Sequence, residues 1–289
     1  MKLNKNANTN ILIVGLGLLG GSYAMALKKK GYHVEAITKD QTSVDYALEH
    51  GLIDYGTTKV EPSVVQKAEL IVFALYPHVL LEWLKENQQY FRPGTVLTDV
   101  TGVKCSTIYE IQKLLREDVE YIAAHPMAGK EVYGVENSDC RIFEGANYIV
   151  VPTEKNSALG IALCEELGRE LGFKSISCLS PEEHDEMIAY LSQLTHCIAV
   201  VLMCCHDNQR LEAYTGDSFR DLTRIAKIND AMWSELFMMN KPALLEQMDV
   251  FLEKFQQLRR FLEEGDVEEM RAMMRLSTER RKRFDKKEV

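Results

Sequence analysis

Several things are missing from this chain, and each absence narrows what it can do. There is no basic surplus. With 34 Lys and Arg against 43 Asp and Glu, the formal net charge is −9. Such a surface does not suit a phosphate backbone, so no nucleic-acid partner is expected. The seven cysteines are odd in number and form no C-x-x-C pair. That argues against a disulfide framework and for reduced thiols in the cytoplasm. No His, Cys, Asp or Glu group has metal-ligand spacing, so no metal is expected. The first residues lack a signal-peptide pattern, Ile11-Leu12-Ile13-Val14 being too short for its apolar core. The longest apolar run, residues 197–205, is far short of the roughly 18 residues that a membrane span needs, so no membrane partner is expected.

What is present is an ordinary globular composition, 46% hydrophobic and 27% charged over 289 residues, enough for two domains of roughly 150 residues each. The buried strand Ile11-Leu12-Ile13-Val14 runs straight into Gly15-Leu16-Gly17-Leu18-Leu19-Gly20, and a helix follows with Leu19, Tyr23, Ala26 and Leu27 on one face. A G-x-G-x-x-G between a strand and a helix is the context in which that motif signals a dinucleotide. Gly15 permits the turn, Gly17 admits the pyrophosphate, and Gly20 lets helix and strand pack closely. The residues from Gly15 through Leu16, Gly17, Leu18 and Leu19 to Gly20 are therefore expected to hold NAD or NADP.

The second strand, residues 33–37, ends in Thr38-Lys39-Asp40. NAD-binding folds place an acidic residue there for the ribose hydroxyls. If Thr38 takes that position, a hydroxyl and then a cation suit a 2′-phosphate, and the balance leans to NADP through Thr38 and Lys39. A register one or two residues longer makes Asp40 the ribose ligand instead.

Further helices (41–50, 79–86, 104–115, 157–171) alternate with strands (70–74, 96–99, 119–124, 147–151, 173–178). This pattern predicts a doubly wound Rossmann-type parallel sheet. The strand over 119–124 ends at His125, where Pro126 and Gly129 forbid its continuation. A histidine at the carboxyl end of a parallel strand faces the ligand crevice; the plainer alternative is a turn histidine bonding its own loop. At Ser180-Pro181-Glu182-Glu183, a capping box, the strand signals stop. The domains are expected to be 1–179, dinucleotide-binding, and 180–289, all-helical. Apolar residues from Met187 to Cys205 form a helical seam with apolar neighbouring faces, so that helix is expected to be buried nearly all round and to complete its core in a homodimer. It carries His196, with Ser192 one turn earlier. Arg220, Arg224 and Lys227 share a helical stripe, either a carboxylate clamp or a solvated face.

Taken together, these residues closely resemble the prephenate dehydrogenase family of tyrosine biosynthesis, over nearly the whole chain. The likeness is carried by the glycine loop, Thr98-Asp99-Val100-Thr101-Gly102-Val103-Lys104, His125-Pro126-Met127-Ala128-Gly129 with Glu131, Ser192-Gln193-Leu194-Thr195-His196, and Thr223-Arg224-Ile225-Ala226 followed by Met232-Trp233. The resemblance implies oxidative decarboxylation of prephenate to 4-hydroxyphenylpyruvate, with arogenate as the alternative substrate. It implies that His125 is the base, that Arg224 binds a substrate carboxylate, that His196, Ser192, Glu131 and Trp233 complete the substrate site, and that Asp99 joins the cofactor contacts. Many members have Gly-Ser where Thr101-Gly102 stands, and that serine supports the catalytic histidine; the resemblance casts Thr101 in its place. Lys130 and Ile228 also depart from the common pattern. A mutase or regulatory domain is not expected. Two competing readings remain: a hydroxyacid-type reductase, which relies on a lysine where this chain offers His196, and a catalytically silent nucleotide sensor, which needs neither His125 nor Arg224.

Overall fold

The computed structural model describes residues 9–285. The first part alternates as expected: β1 (Asn10–Val14), α1 (Leu18–Lys29), β2 (His33–Ile37), α2 (Gln41–Glu49), β3 (Tyr55–Thr57), α3 (Pro62–Lys67), β4 (Leu70–Phe73), α4 (Pro77–Asn87), β5 (Val96–Asp99), α5 (Cys105–Leu114) and β6 (Glu120–Tyr121). The six strands form one parallel sheet in the order β3-β2-β1-β4-β5-β6, the doubly wound dinucleotide-binding arrangement. Alternate residues of β1 serve opposite faces. Ile11 and Ile13 join one apolar core with Tyr23 and Leu27 of α1. Leu12 and Val14 join the other with Leu80 and Leu84 of α4. Both faces are covered, so the strands read as unbroken apolar runs. The sequence pattern gave no sign of β3 and α3. β3 has three residues, one of them Gly56, and is defined by pairing to Glu35, Ala36 and Ile37 rather than by its own composition.

The strand expected to end at His125 does not end there. After β6 the chain leaves the parallel sheet at Ile122 and starts β7 (Ala123–Met127), which contains both His125 and Pro126. β7 pairs antiparallel with β8 (Asn147–Val151), and β8 pairs parallel with β9 (Ser175–Cys178) after α6 (Ala158–Leu171). Strands expected to extend one parallel array thus form a separate three-stranded sheet in the order β7-β8-β9. Pro126 is tolerated because β7 is the edge strand, where a missing N–H breaks no ladder.

Helices follow: α7 (Pro181–Ile188), a π-helical stretch (Ala189–Leu194) and α8 (Thr195–Cys204), run together, then α9 (Asp217–Thr223), a 3₁₀ turn (Arg224–Ala226) and α10 (Asp230–Met239). The capping box is formed, with Ser180 Oγ accepting from the Glu183 N–H and the Glu183 carboxylate accepting from the Ser180 N–H. Pro181–Cys204 is long and apolar enough to cross a membrane by length and composition alone, which a count of uninterrupted apolar residues does not reveal. Its polar groups are nonetheless engaged by protein. Gln193 donates to the Leu236 carbonyl at 3.0 Å, and Asn240 donates to Gln193 Oε1 and to the Asp185 carbonyl, each at 2.8 Å. Nor is this helix buried all round in the chain. Met187, Leu191 and Val201 of the seam are 39%, 49% and 58% exposed, because its apolar circumference exceeds what this chain lays against it.

Residues through Asn240 make one compact unit. From Lys241 a second unit holds α11 (Lys241–Glu264) packed against α12 (Val267–Arg281), whose first turn is capped by Asp266 accepting from the Glu269 N–H.

Candidate active site

The glycine loop falls between β1 and α1. Gly15 has φ +100°, and a Cβ on Gly20 would lie 1.9 Å from the Gly15 carbonyl oxygen, so both positions require glycine for the protein's own sake. Gly17 differs. A Cβ there would meet nothing within 4 Å, and its φ of −109° suits any residue. The space in front of Gly17 is open, as the close approach of a pyrophosphate requires. α1 also starts with no side-chain cap, which leaves the N–H groups of its first turn for an anion. These observations fit a dinucleotide pyrophosphate. Leu16 is buried, and Leu18 and Leu19 are half-buried. Gly17→Ala should therefore leave the thermal midpoint within about 1–2 °C but weaken dinucleotide binding by titration roughly tenfold or more; normal binding would disconnect Gly17 from the ligand.

At the end of β2, Thr38 comes directly after the last strand residue, and its N–H donates to the Thr57 carbonyl. Lys39 is exposed. Asp40 is the N-cap of α2: its carboxylate accepts from the backbone N–H groups of Thr42 and Ser43 and from both their hydroxyls. Employed in this way, Asp40 is poorly suited to bind a ribose.

Asp99 is not at the cofactor surface. It is fully buried. Its Oδ2 accepts from the Thr101 N–H (2.9 Å), the Thr101 hydroxyl and Lys104 Nζ (2.7 Å), and Oδ1 accepts from the Ala124 N–H at 3.2 Å. No side-chain surface remains for a dinucleotide. Thr101 does not support His125 either, because its hydroxyl is held between Asp99, the Val103 carbonyl and Lys104 Nζ. Lys104 is itself completely buried and donates a further bond, 2.7 Å, to the Ala124 carbonyl next to His125.

The partner of His125 is His184, with His125 Nδ1 2.9 Å from His184 Nε2. His184 Nδ1 in turn lies 2.7 Å from Asp185 Oδ1. Asp185 also accepts the N–H groups of Lys104 (2.9 Å) and Cys105 (2.8 Å), and so caps α5. His184 is fully buried while His125 is half-buried. Burial, the adjacent His184 and the Lys104 cation hold the His125 imidazole well below its ordinary pKa. Burial lowers His184 too, against the opposing pull of Asp185. Burial alone would raise Asp185, but His184 and the two backbone N–H groups bring it down. Sequence reasoning missed this pair; the one available hint was a histidine inside the run of ionisable residues 182–186 at the capped start of an apolar helix.

A second cluster gathers the remaining expected residues. Glu131, six residues beyond His125, forms an ion pair with Arg224 at the start of the 3₁₀ turn. The cationic stripe is not kept: α9 stops at Thr223, Arg220 pairs with Asp217, and Arg224 turns to Glu131. His196 Nδ1 donates to the Ser192 carbonyl at 2.8 Å, and its ring lies against Trp233, centroids 3.7 Å apart. Burial lowers the His196 pKa, and Glu131 and Arg224 both act on it electrostatically. Ser192 lies in the π-helical stretch, a local widening common at functional sites. Among the described residues, no group of three His, Cys, Asp or Glu is arranged for a metal ion.

Comparison with known proteins agrees with this geometry. The family model for the nucleotide-binding domain of prephenate dehydrogenase matches residues 23–177, and the model for its dimerization domain matches 180–276. The prephenate dehydrogenase of Lactococcus lactis is 33% identical over 250 residues, 83% of this chain and 68% of that one. That of Bacillus subtilis is 28% identical over 267 residues, 90% and 72% of the two chains. The crystal structure of prephenate dehydrogenase from A. aeolicus, in complex with hydroxyphenyl propionate and NAD+, superimposes with a TM-score of 0.87 at 27% identity, covering 96% of this chain and 98% of that one. By fold, by matched domains and by sequence, the chain belongs to the prephenate dehydrogenase family.

Proposed function

We propose that the protein converts prephenate to 4-hydroxyphenylpyruvate by oxidative decarboxylation with NAD(P), with His125 as the base. The observation that carries this reading is the state of His125. Its Nδ1 is engaged by His184, its Nε2 has no partner among the described residues, and its pKa is depressed, so a neutral imidazole presents a free acceptor. Gly15, Gly17, Gly20 and the first turn of α1 would hold the dinucleotide, which would supply the hydride acceptor. His125 accepts the proton of the ring hydroxyl, and the electron pair of that O–H bond forms the carbonyl as the C–H bond breaks. The ring C–COO⁻ bond breaks to release carbon dioxide, its electron pair passes through the ring to the carbonyl oxygen, and that oxygen takes the proton back from His125 as a phenol, aromatisation driving the step.

Arg224 is proposed to bind a substrate carboxylate. It is paired with Glu131 at the surface, so an entering carboxylate takes over an existing ionic contact. His196, oriented by the Ser192 carbonyl and packed against the Trp233 ring, is proposed to hold the substrate alongside Ser192. Arg224→Ala should raise the substrate KM by about 30–150-fold, the equivalent of about 2–3 kcal/mol for a charged hydrogen bond, with dinucleotide affinity unchanged. Arg224→Lys should recover part of the loss, an ammonium lacking the bidentate fork. An unchanged KM would make Arg224 a solvated surface cation.

Cofactor preference is proposed to lean to NADP. Asp40 is committed to α2 and Lys39 is exposed beside the strand end, which favours a 2′-phosphate. kcat/KM with NADP should at least equal that with NAD, and Lys39→Ala should lose NADP use; a clear NAD preference in the unmodified enzyme overturns the lean. The division into 1–179 and 180–289 is retained as a proposal. So is a homodimer, supported by the dimerization-domain match and the exposed apolar residues of α8. All seven cysteines are free thiols, in keeping with a proposed cytoplasmic location. Turnover of prephenate and of arogenate, each with NAD and NADP, is the test. Turnover of arogenate alone would make this an arogenate dehydrogenase.

A further inference from the structure

We infer that His184 and Asp185 are positioning residues which fix the tautomer of His125, so that its Nε2 lone pair faces the substrate. The inference rests on the reading of His125 as the base. It follows from the polarity of one hydrogen-bonded line, His125 Nδ1 to His184 Nε2 at 2.9 Å and His184 Nδ1 to Asp185 Oδ1 at 2.7 Å. An ionised carboxylate only accepts. The short contact to Asp185 therefore requires the hydrogen of His184 to sit on Nδ1. In a neutral imidazole the other nitrogen is then a lone pair, so His184 Nε2 accepts, and His125 must donate through Nδ1. With its single hydrogen on Nδ1, neutral His125 keeps Nε2 unprotonated. That is the nitrogen without a partner among the described residues.

The line is anchored at its far end. Besides His184, Asp185 accepts the N–H groups of Lys104 and Cys105 at the start of α5, and its carbonyl accepts from Asn240. A carboxylate with that many donors has one orientation and one protonation state. Lys104 holds the opposite side of the base through the Ala124 carbonyl. His184 is fully buried, so water cannot replace it as the acceptor for His125. The charged groups facing the line are Lys104 and Asp99, paired with each other at 2.7 Å, together with Asp185 itself. When His125 takes the substrate's proton at Nε2, its Nδ1–H continues to donate to His184. The ring is thus held through the step, and the proton passes from Nε2 back to the product oxygen as the ring becomes aromatic.

The arrangement separates a tautomer role from plain packing, and a conservative rescue exists. His184→Leu fills similar space but accepts nothing. His184→Gln offers a carbonyl to His125 and an amide N–H to Asp185. In long-range 15N–1H spectra of the intact enzyme at a pH where His125 is neutral, the unmodified protein should show His125 with Nδ1 protonated and Nε2 bare. His184→Leu should shift that population towards the Nε2–H form and lower kcat by roughly 10–100-fold, with substrate KM and dinucleotide Kd within about threefold; an orienting partner that secures a tautomer is worth at least this much in comparable sites. His184→Gln should restore both the Nδ1–H signal and kcat to within about fivefold. The inference is overturned by an Nε2–H signal at His125 in the unmodified enzyme, or by His184→Leu keeping both tautomer and kcat. Should the Leu variant fail to fold, His184→Gln decides: a large kcat loss with the Nδ1–H tautomer retained means that His184 acts by some other route. Failure of the base itself is seen separately. Normal kcat in His125→Asn removes the base, whereas normal kcat in His184→Leu beside an impaired His125→Asn removes only the positioning pair.

Discussion

Replacing His125 by Asn should lower kcat by roughly 10²–10⁴-fold, the range for loss of a general base, while substrate and dinucleotide binding survive. Asn retains a polar group of similar size but cannot take a proton. The glycine loop and the Glu131–Arg224 pair do not involve His125, so the loss should fall on turnover. Equal losses in KM and kcat would make His125 a substrate-orienting residue instead. The pH dependence adds a second check. From the residue type alone, activity should rise through an apparent pKa near ~6.5. In the structure, burial, His184 and Lys104 all lower the His125 pKa. A base works in its neutral form, and a lowered pKa keeps it neutral to lower pH. The acid limb of kcat/KM should therefore have its midpoint below ~6.5, and in His125→Asn that limb should vanish. A limb at or above ~6.5 in the unmodified enzyme would mean that the imidazole is better solvated than its burial indicates.

What could be read from the chain was what neighbours in sequence decide. β1, the glycine loop and α1 are adjacent, and their order alone specifies a strand, a turn and an anion-binding helix start. The Ser180–Glu183 capping box closes over three residues, and it is formed as read. His125 stands out because an imidazole interrupts an apolar run, and Arg224 because it shares a helical stripe with Arg220 and Lys227. What escaped depends on pairings across long stretches of chain. His125 and His184 are 59 positions apart, and Glu131 and Arg224 are 93 apart. No periodicity links either pair. Thr101 was expected beside His125 because a serine stands nearby in relatives, yet its hydroxyl lies two residues from Asp99 and bonds there first. Pro126 was taken to stop a strand. It does so only in the interior of a sheet, and whether β7 is interior or edge is a property of the whole topology. The π-helical stretch at Ala189–Leu194 is invisible to a test for 3.6-residue periodicity, although it carries Ser192 and leads into His196.

Lys104→Met should destabilise the protein by about 3–5 kcal/mol, the usual result of removing one partner from a buried ion pair. Lys104 and Asp99 are both fully buried, 2.7 Å apart. Without the ammonium, the Asp99 carboxylate keeps three donors, the N–H groups of Thr101 and Ala124 and the Thr101 hydroxyl, but has no compensating charge. The Ala124 carbonyl also loses its lysine donor. Adding Asp99→Asn removes the stranded charge and keeps an acceptor oxygen, so the double variant should regain part of the loss. That sign of coupling distinguishes an ion pair from a packing defect, for which Asp99→Asn would only add to the damage. Urea unfolding of the two single variants and the double variant measures it. A Lys104→Met midpoint equivalent to less than about 1 kcal/mol of destabilisation would mean that water enters and solvates Asp99. The same variant carries a kinetic signature. Lys104 is one of the groups that depress the His125 pKa, so removing this cation should move the acid limb of kcat/KM to higher pH, whereas the limb should stay in place if Lys104 served folding alone. Its turnover at high pH, where His125 is neutral in either protein, should recover towards the unmodified value as far as the Ala124–His125 backbone keeps its place without the lysine.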